Sequence, residues 1–482
     1  MPSPRRRVLT GIALLLAIVA GLDSAPAAET LTKEEAAAAL RRAVGFFRDE
    51  VSVQGGYVWR YSADLSRREG EGKADATTAW VQPPGTPSVG EALLAAYETC
   101  GEPLCLEAAR QTARALVLGQ LRSGGWDYRI EFDPRQRARI AYRVNGGSRN
   151  ARNVTTFDDE TSQSALRFLI RIDEVLEFKD DSIHEAALFG LDAVLKAQYP
   201  NGGWPQRYSE FPNPDEYPVK PAQFPESWSR TYPKADYRDY YTLNDQLIPD
   251  MLTVLFEAER VYGDRKYRAA AEKAGDFLIL AQLPEPQPAW AQQYDREMQP
   301  AWARRFEPPA VTGGESQGAL RTLLQLYRVT GNRKYLEPVP RALAYLRRSE
   351  LENGRLARFY ELKTNRPLFL TTNYELTYSR DDLPTHYGFI VESKVDQIEA
   401  EYQKLLATPP EKLNPPPRKR RFRKSAGLTE RARSIIKALD ERGAWVETGQ
   451  LRTEKSDAAE PIISTSTFIR NSAVLSQFLA AE

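Results

Sequence analysis

Histidine, cysteine and methionine are almost missing from this 482-residue chain, which has two, two and three of them. His184 and His386 are too few, and no CxxC pair accompanies them, so zinc sites of the usual nitrogen and sulfur type are excluded. A histidine-based triad can run only through His386, which has no nucleophile elbow beside it. Cys100 and Cys105, in "TCGEPLCLE", rule out a disulfide-built scaffold. In an exported protein these two can close a small bridge across a turn, where the short loop adds little entropy, or they remain free thiols. An excess of one charge is also lacking, since 66 Lys and Arg face 65 Asp and Glu. That balance removes the main support for global nucleic-acid binding, so any affinity for a polyanion must come from a local patch. Alternating strand-like runs are nearly absent too, which argues against sheet architectures.

A long apolar run occurs once, at the start. Arg5, Arg6 and Arg7 precede "VLTGIALLLAIVAG", and "SAPAAE" offers small residues for cleavage after Ala27 or Ala28. Residues 1–27 therefore read as a signal peptide for export to the periplasm, cell envelope or exterior, and "RRRVL" loosely resembles a twin-arginine signal. The run is short for a spanning anchor. Removing it takes away three arginines and Asp23, leaving a mature chain with a formal charge of −1.

What the chain does contain is a repeat. A helix-like segment ends in a turn, usually with glycine, and then an aromatic, as in "ARALVLGQLRSGGWDYRI", "GLDAVLKAQYPNGGWPQRY" and "RSIIKALDERGAWVET". Six such segments can be counted, and each is followed after a loop by a second helical segment with Ser, Thr, Asn or Glu near its start. Apolar residues recur at helical spacing, for example Leu166, Leu169 and Ile170. Twelve helices in six hairpins suit a straight solenoid or a closed ring. The absence of a polar capping repeat favours an all-α toroid of the (α/α) barrel type. The expected organisation is a toroid domain at 30–408, a Pro-rich basic linker at 409–424, and a closing helical hairpin at 425–482. The turns then share one face. Tyr57, Trp126, Trp204 and Trp445 either pack at the rim or stack on a sugar. A proline- and aromatic-rich insertion at 209–240 falls on that face, as a cover over its mouth.

Charged residues gather near the starts of the second helices: Asp158, Asp159 and Glu160 in "TTFDDETS", Asn244 and Asp245 in "YYTLNDQL", Arg304, Arg305, Glu307 and Glu315 in "WARRFEPPAVTGGES", and Arg358, Glu361, Lys363 and Arg366 in "RLARFYELKTNRP". A later loop adds Arg380, Asp381, Asp382, His386 and Tyr387. Taken singly, an acid at a helix start is a cap or a dipole partner. Together, paired acids and several arginines suit an anionic substrate, with a hard cation such as Ca²⁺ on the carboxylates and guanidinium forks on neighbouring anions.

The stretches "NGGWPQRY", "YTLNDQL", "ARRFEPPAVTGGES" and "RFYELKTNRPLF", in that order, resemble the family 10 polysaccharide lyases, the pectate (pectic acid) lyases with an all-helical toroidal catalytic domain. The resemblance covers roughly residues 35 to 400. It implies Ca²⁺-assisted β-elimination on polygalacturonate, an acidic polysaccharide partner, and no nucleic-acid or stable membrane partner; the protein is read as a monomer. Residue by residue, Asp158 and Asp245 match acids implicated in metal or substrate binding. Arg304 matches the expected catalytic base, and Arg358 an arginine that meets a substrate carboxylate. Lys363, Arg366, Trp204, Arg207 and His386 are further substrate-binding candidates, Trp204 and Arg207 at the rim of the cleft. The family's "RDG" is replaced by the longer "LTTNYELTYSRDDLP", so Arg380 stands as its replacement. A neutral Arg304 needs desolvation and neighbouring positive charge, from Arg305 and the metal. Two other readings stay open: a toroidal glycoside hydrolase using Asp158 and Asp245, and a non-catalytic uronan-binding envelope protein.

Overall fold

The computed structural model describes residues 31–415, 421–453 and 458–482. The signal-peptide reading and part of the basic linker lie outside these residues. Among the described residues no helix is long and apolar enough to cross a membrane.

Twelve helices of ten or more residues form the frame, in chain order α1 Lys33–Phe46, α2 Thr86–Cys100, α3 Pro103–Gly119, α4 Thr161–Val175, α5 Asp181–Ala197, α6 Leu247–Tyr262, α7 Arg265–Ala281, α8 Gly313–Thr330, α9 Val339–Arg348, α10 Val395–Leu406, α11 Ala426–Lys437 and α12 Thr465–Ala480. The even-numbered helices pack in series, α12 on α2, α2 on α4, α4 on α6, α6 on α8 and α8 on α10, and form the inner ring. The odd-numbered ones lie outside, with α1 against α3 and α3 against α5. The six hairpins read from the sequence are all present, and the fold is the all-α toroid. Its two ends meet: α12 packs on α1, Phe47 stacks on Phe468 at 3.8 Å, and Arg60–Ser62 pairs antiparallel with residues 462–464.

The two faces of the ring differ. Several inner helices end at a glycine in the left-handed region, Gly101, Gly263 and Gly331, whose lack of a Cβ lets the chain reverse at once into the next outer helix. The opposite face carries the long connections from outer to inner helices, with short two- to five-stranded sheets. The N-termini of the inner helices open onto that face, so their partial positive charge points toward it.

The recurring aromatic has a structural explanation. The indole N–H groups of Trp126, Trp204, Trp290 and Trp445 donate to the carbonyls of Leu116, Val194, Leu278 and Ile435 at 2.8–2.9 Å. Each of those carbonyls lies in the last turn of an outer helix, where it has no partner within the helix. Neighbouring glutamines act alongside. Gln120, Gln198 and Gln282 each donate from one amide to their own turn and to a carbonyl of the following outer segment, Ala186, Ala270 and Pro338. Cys100 and Cys105 are free thiols.

Candidate functional site

Inner helices α4 and α6 each begin with one 3-10 turn, Asp158–Glu160 and Asn244–Gln246, and the two turns touch. In both, two consecutive residues without glycine's freedom are left-handed: Asp159 and Glu160 at φ 49° and 58°, Asp245 and Gln246 at 50° and 59°. Such residues cost on the order of 1–3 kcal/mol each and persist only where the surroundings impose them. The turns superimpose in sequence as "DDE" on "NDQ", so Asp245 occupies the place of Asp159, not that of Asp158. Asp159 is the acid that the sequence pairing left without a role, and aligning the two turns exposes it. Asp158, Asp159 and Asp245 each bring a carboxylate oxygen to within 4.8 Å of the others.

Asp158 is buried and heavily bonded. It accepts from Tyr128 Oη at 2.8 Å, Gln206 Nε2 at 2.9 Å and Arg207 Nη2 at 3.0 Å. Burial alone would raise its pKa, but these bonds and the charges of Arg304 and Arg207 hold it below the usual carboxylate value. Asp245 goes the other way: burial and the neighbouring Asp158 carboxylate push it up. Asp159 accepts from Gln82 Nε2 at 2.9 Å, and burial with the charges of Asp158 and Glu71 pushes it up to about 6. The cluster therefore retains a proton that an ordinary aspartate would lose.

A second half of the site adjoins it. Asn244 Nδ2 donates to Asp245 at 2.6 Å and to the buried Glu307 at 3.3 Å. Glu307 in turn accepts from the Arg304 backbone N–H at 3.0 Å and from Arg304 Nη2 at 2.6 Å, and that guanidinium reaches Asp245 at 3.4 Å. Arg358 lies over the Tyr387 ring, 4.5 Å from its centroid, and bonds Tyr387 Oη at 3.2 Å and Glu315 at 3.5 Å. Gln292 Nε2 joins Asn244, Glu315 and Tyr387 at 3.0–3.2 Å. Gln292 and Tyr128 are site residues that no short motif marked, and Tyr387, noted in the later loop, had no role assigned. They arrive from distant loops and only the ring brings them in. Tyr237, at the end of the proline-rich insertion, is another: its phenol lies in the field of Arg207, Arg304, Glu307 and Asp158.

The structure corrects several expectations. Trp204 is 0% exposed and its N–H is committed to Val194, so it cannot stack on a sugar. Arg207 is part of the centre, on Asp158, rather than at its rim. Arg304 is not surrounded by positive charge. Burial would lower its pKa, but the bond from Glu307 and the charges of Glu307, Asp245 and Asp158 raise it. Arg305 turns away to the Asn373 carbonyl at 2.9 Å and the Tyr374 ring. Arg380 is exposed and is hydrogen-bonded to none of the described site residues. Lys363 and Arg366 are exposed at the outer edge, Lys363 on the Glu226 carbonyl at 3.3 Å and Arg366 over Tyr378 at 3.5 Å. His386 is exposed on the rim, edge-on to Phe306 at 5.1 Å, beside the Arg304 loop. The sequence thus brings Asp158, Asp245, Arg304, Arg207 and Arg358 into one centre and leaves the others outside it.

The donor set fits a hard cation. Five carboxyl groups, Asp158, Asp159, Asp245, Glu307 and Glu315, face three guanidinium groups, Arg207, Arg304 and Arg358, so acids outnumber cations by two in one cleft and the retained proton offsets part of the excess. Buried polar atoms without a partner among the described residues concentrate here: Gln206 Oε1, Arg207 Nε, Gln292 Oε1, Arg304 Nε and Glu315 Oε2. Native interiors leave few such atoms, and their gathering marks a place built for a ligand. All-oxygen ligands with high negative charge suit Ca²⁺-like ions rather than zinc.

Residues 120–325 match the family model described as pectic acid lyase. No curated protein matches the chain. Among solved structures it is similar to a family 10 polysaccharide lyase from Cellvibrio cellulosa, at 20% identity over 61% of this chain and 91% of that one, with a TM-score of 0.44. A mutant of such a lyase from the same organism, in complex with trigalacturonic acid, matches at 20% identity over 66% and 98%, with a TM-score of 0.47. A cellobiose 2-epimerase from Bacillus thermoamylovorans matches at 14% identity over 93% and 98%, with a TM-score of 0.43. The family match spans Asp158, Asp159, Asp245, Arg304, Glu307 and Glu315.

Proposed function

We propose that this chain cleaves polygalacturonate or a closely related uronan by β-elimination, with Ca²⁺ held by Asp158, Asp159 and Asp245 and with Arg304 as the base. The observation that carries the reading is the carboxylate cluster, with two more acids than cations, beside half-buried arginines. A uronan substrate is itself anionic, and a cleft with net negative charge repels it unless a cation intervenes.

β-Elimination removes the C5 proton and breaks the bond from C4 to the glycosidic oxygen, so negative charge develops on the C6 carboxylate side of the ring. A divalent cation bound here supplies positive charge at that carboxylate and masks Asp158 and Asp245, two of the three acids that keep Arg304 protonated. Arg358, fixed flat on Tyr387, presents its guanidinium to a substrate carboxylate in a set orientation, since Glu315 and Tyr387 Oη hold one edge. Arg207 holds the orientation of Asp158. Arg304 takes the C5 proton, with its position set by Glu307 through two hydrogen bonds. Because an arginine base is protonated near neutrality, turnover rises into the alkaline range.

The hydrolase alternative is weaker. Asp158 and Asp245 bring carboxylate oxygens to within 4.8 Å of each other and of Asp159, whereas the two carboxyls of a glycosidase stand about 5–9.5 Å apart to act on opposite faces of a sugar. Export through residues 1–27 and a monomeric state complete the proposal. The test is incubation with polygalacturonate, with and without Ca²⁺, followed by the ultraviolet absorbance of the unsaturated product. Reducing ends without that absorbance point to a hydrolase. Binding without turnover points to a uronan-binding protein.

A further inference from the structure

The 209–240 insertion is not a loose flap. Its backbone is tied to the frame by Arg207 N–H to the Arg238 carbonyl at 3.1 Å, Ala222 N–H to Leu280 at 2.7 Å and Gln223 N–H to Met298 at 3.0 Å. Side chains add to this. Trp302 Nε1 donates to the Ser229 carbonyl at 2.8 Å, Tyr199 Oη to the Asp239 carbonyl at 2.6 Å, and Tyr217 packs on Tyr199 with centroids 4.2 Å apart. Arg230 is paired with Glu361 across the cleft. Between this insertion and the third hairpin turn lies a preformed cavity of about 360 Å³, lined among others by Arg207, Ser209, Glu210, Asp236, Arg238 and Asp239. Arg207 is common to this cavity and to the metal-type centre, since its guanidinium also holds Asp158.

The cavity's chemistry differs from that of the centre. Its cations are already neutralised, Arg207 by Asp158, and Arg238 by Asp236 with bonds at 2.5 and 2.8 Å. Asp239 is neutralised by Arg296 at 2.9 Å, and Glu210 stands exposed at the wall. A carboxylate placed here meets no spare positive charge and one spare negative one. A hydroxyl-rich neutral ring meets alternating donors and acceptors at close range. The volume is also that of a small-molecule pocket, with room for one pyranose.

Building on the lyase reading above, we propose that this cavity is a subsite for an uncharged pyranose unit, a methyl-esterified uronate or a neutral sugar, next to the charged residue held at the metal centre. The insertion thereby fits the enzyme to a polymer that is only partly charged.

The test uses a partly methyl-esterified oligogalacturonate and its saponified counterpart of equal length, with binding measured calorimetrically on the full chain and turnover measured in parallel. Ser209→Trp fills the cavity, and Arg238→Gln removes a donor if the first variant proves unstable by melting. Either change lowers affinity for the esterified oligomer about tenfold, the scale of one or two neutral hydrogen bonds, and lowers it less for the saponified one. Equal losses on both ligands, or no loss on either, overturn the proposal. Binding that follows this pattern without any unsaturated product overturns the lyase reading and leaves the subsite standing. Absence of binding by both oligomers overturns the subsite.

Discussion

The carboxylates of Asp158 and Asp245 bring oxygens to within 4.8 Å of each other across the starts of two adjacent inner helices, with Asp159 beside them. Like charges this close oppose each other's ionisation, and the pKa directions divide accordingly: Asp158, drawn by Arg304 and Arg207, goes down while Asp245 and Asp159 go up.

A divalent cation relieves the conflict, so Ca²⁺ raises the melting temperature of the wild-type chain. At a hundredfold excess over the dissociation constant the gain is about 2.7 kcal/mol. In Asp158→Asn or Asp245→Asn the Ca²⁺-dependent shift in melting temperature disappears; apo Asp245→Asn melts no lower, because that carboxyl already holds a proton, whereas apo Asp158→Asn melts lower, because Arg207 loses its charged partner. A full Ca²⁺ response in both variants removes the site.

Arg304→Ala abolishes the unsaturated product and leaves the fold intact. Arg304→Lys retains a cation but not the fork that Glu307 holds, and it loses on the order of a hundredfold or more in kcat. Circular dichroism and melting separate loss of chemistry from loss of structure.

Trp204→Phe is the reverse case. It leaves the buried Val194 carbonyl without its indole partner and costs about 1–3 kcal/mol of stability. Because the ring is buried and committed, KM for polygalacturonate stays within about twofold of wild type, a change too small to represent a lost hydrogen bond. A large rise in KM with unchanged stability restores Trp204 to the substrate.

Asp250, on α6, has its pKa raised to about 7 by burial and by Glu160, against the pull of Arg167. The folded state therefore holds a proton that the unfolded chain gives up near pH 3.8. Its contribution is fully favourable below that value and is lost as pH rises toward 7. Asp250→Asn flattens this decline, and its melting temperature exceeds that of wild type at pH 8 but not at pH 4. The same difference at both pH values refutes the assignment.

Much of this molecule is legible in its sequence, because its repeat is local. A helix stripe, a left-handed glycine and an aromatic recur at fixed spacing, and each depends only on interactions within one hairpin. The six hairpins, the toroid and the acids and arginines of the centre follow from that pattern and from the motif resemblance. What each aromatic does depends on depth in the ring, and Trp204 was legible as an aromatic after a turn but not as a plug on the end of α5. Arg304 shows the same limit for charge. Its type and place could be read in sequence, but the sign of its surroundings was set by Glu307, Asp245 and Asp158, which lie up to 146 residues away in sequence. Pairwise electrostatics and burial depend on distances in space, so only the closed ring could decide which acids crowd together, which cation they hold protonated, and which cavity the insertion encloses.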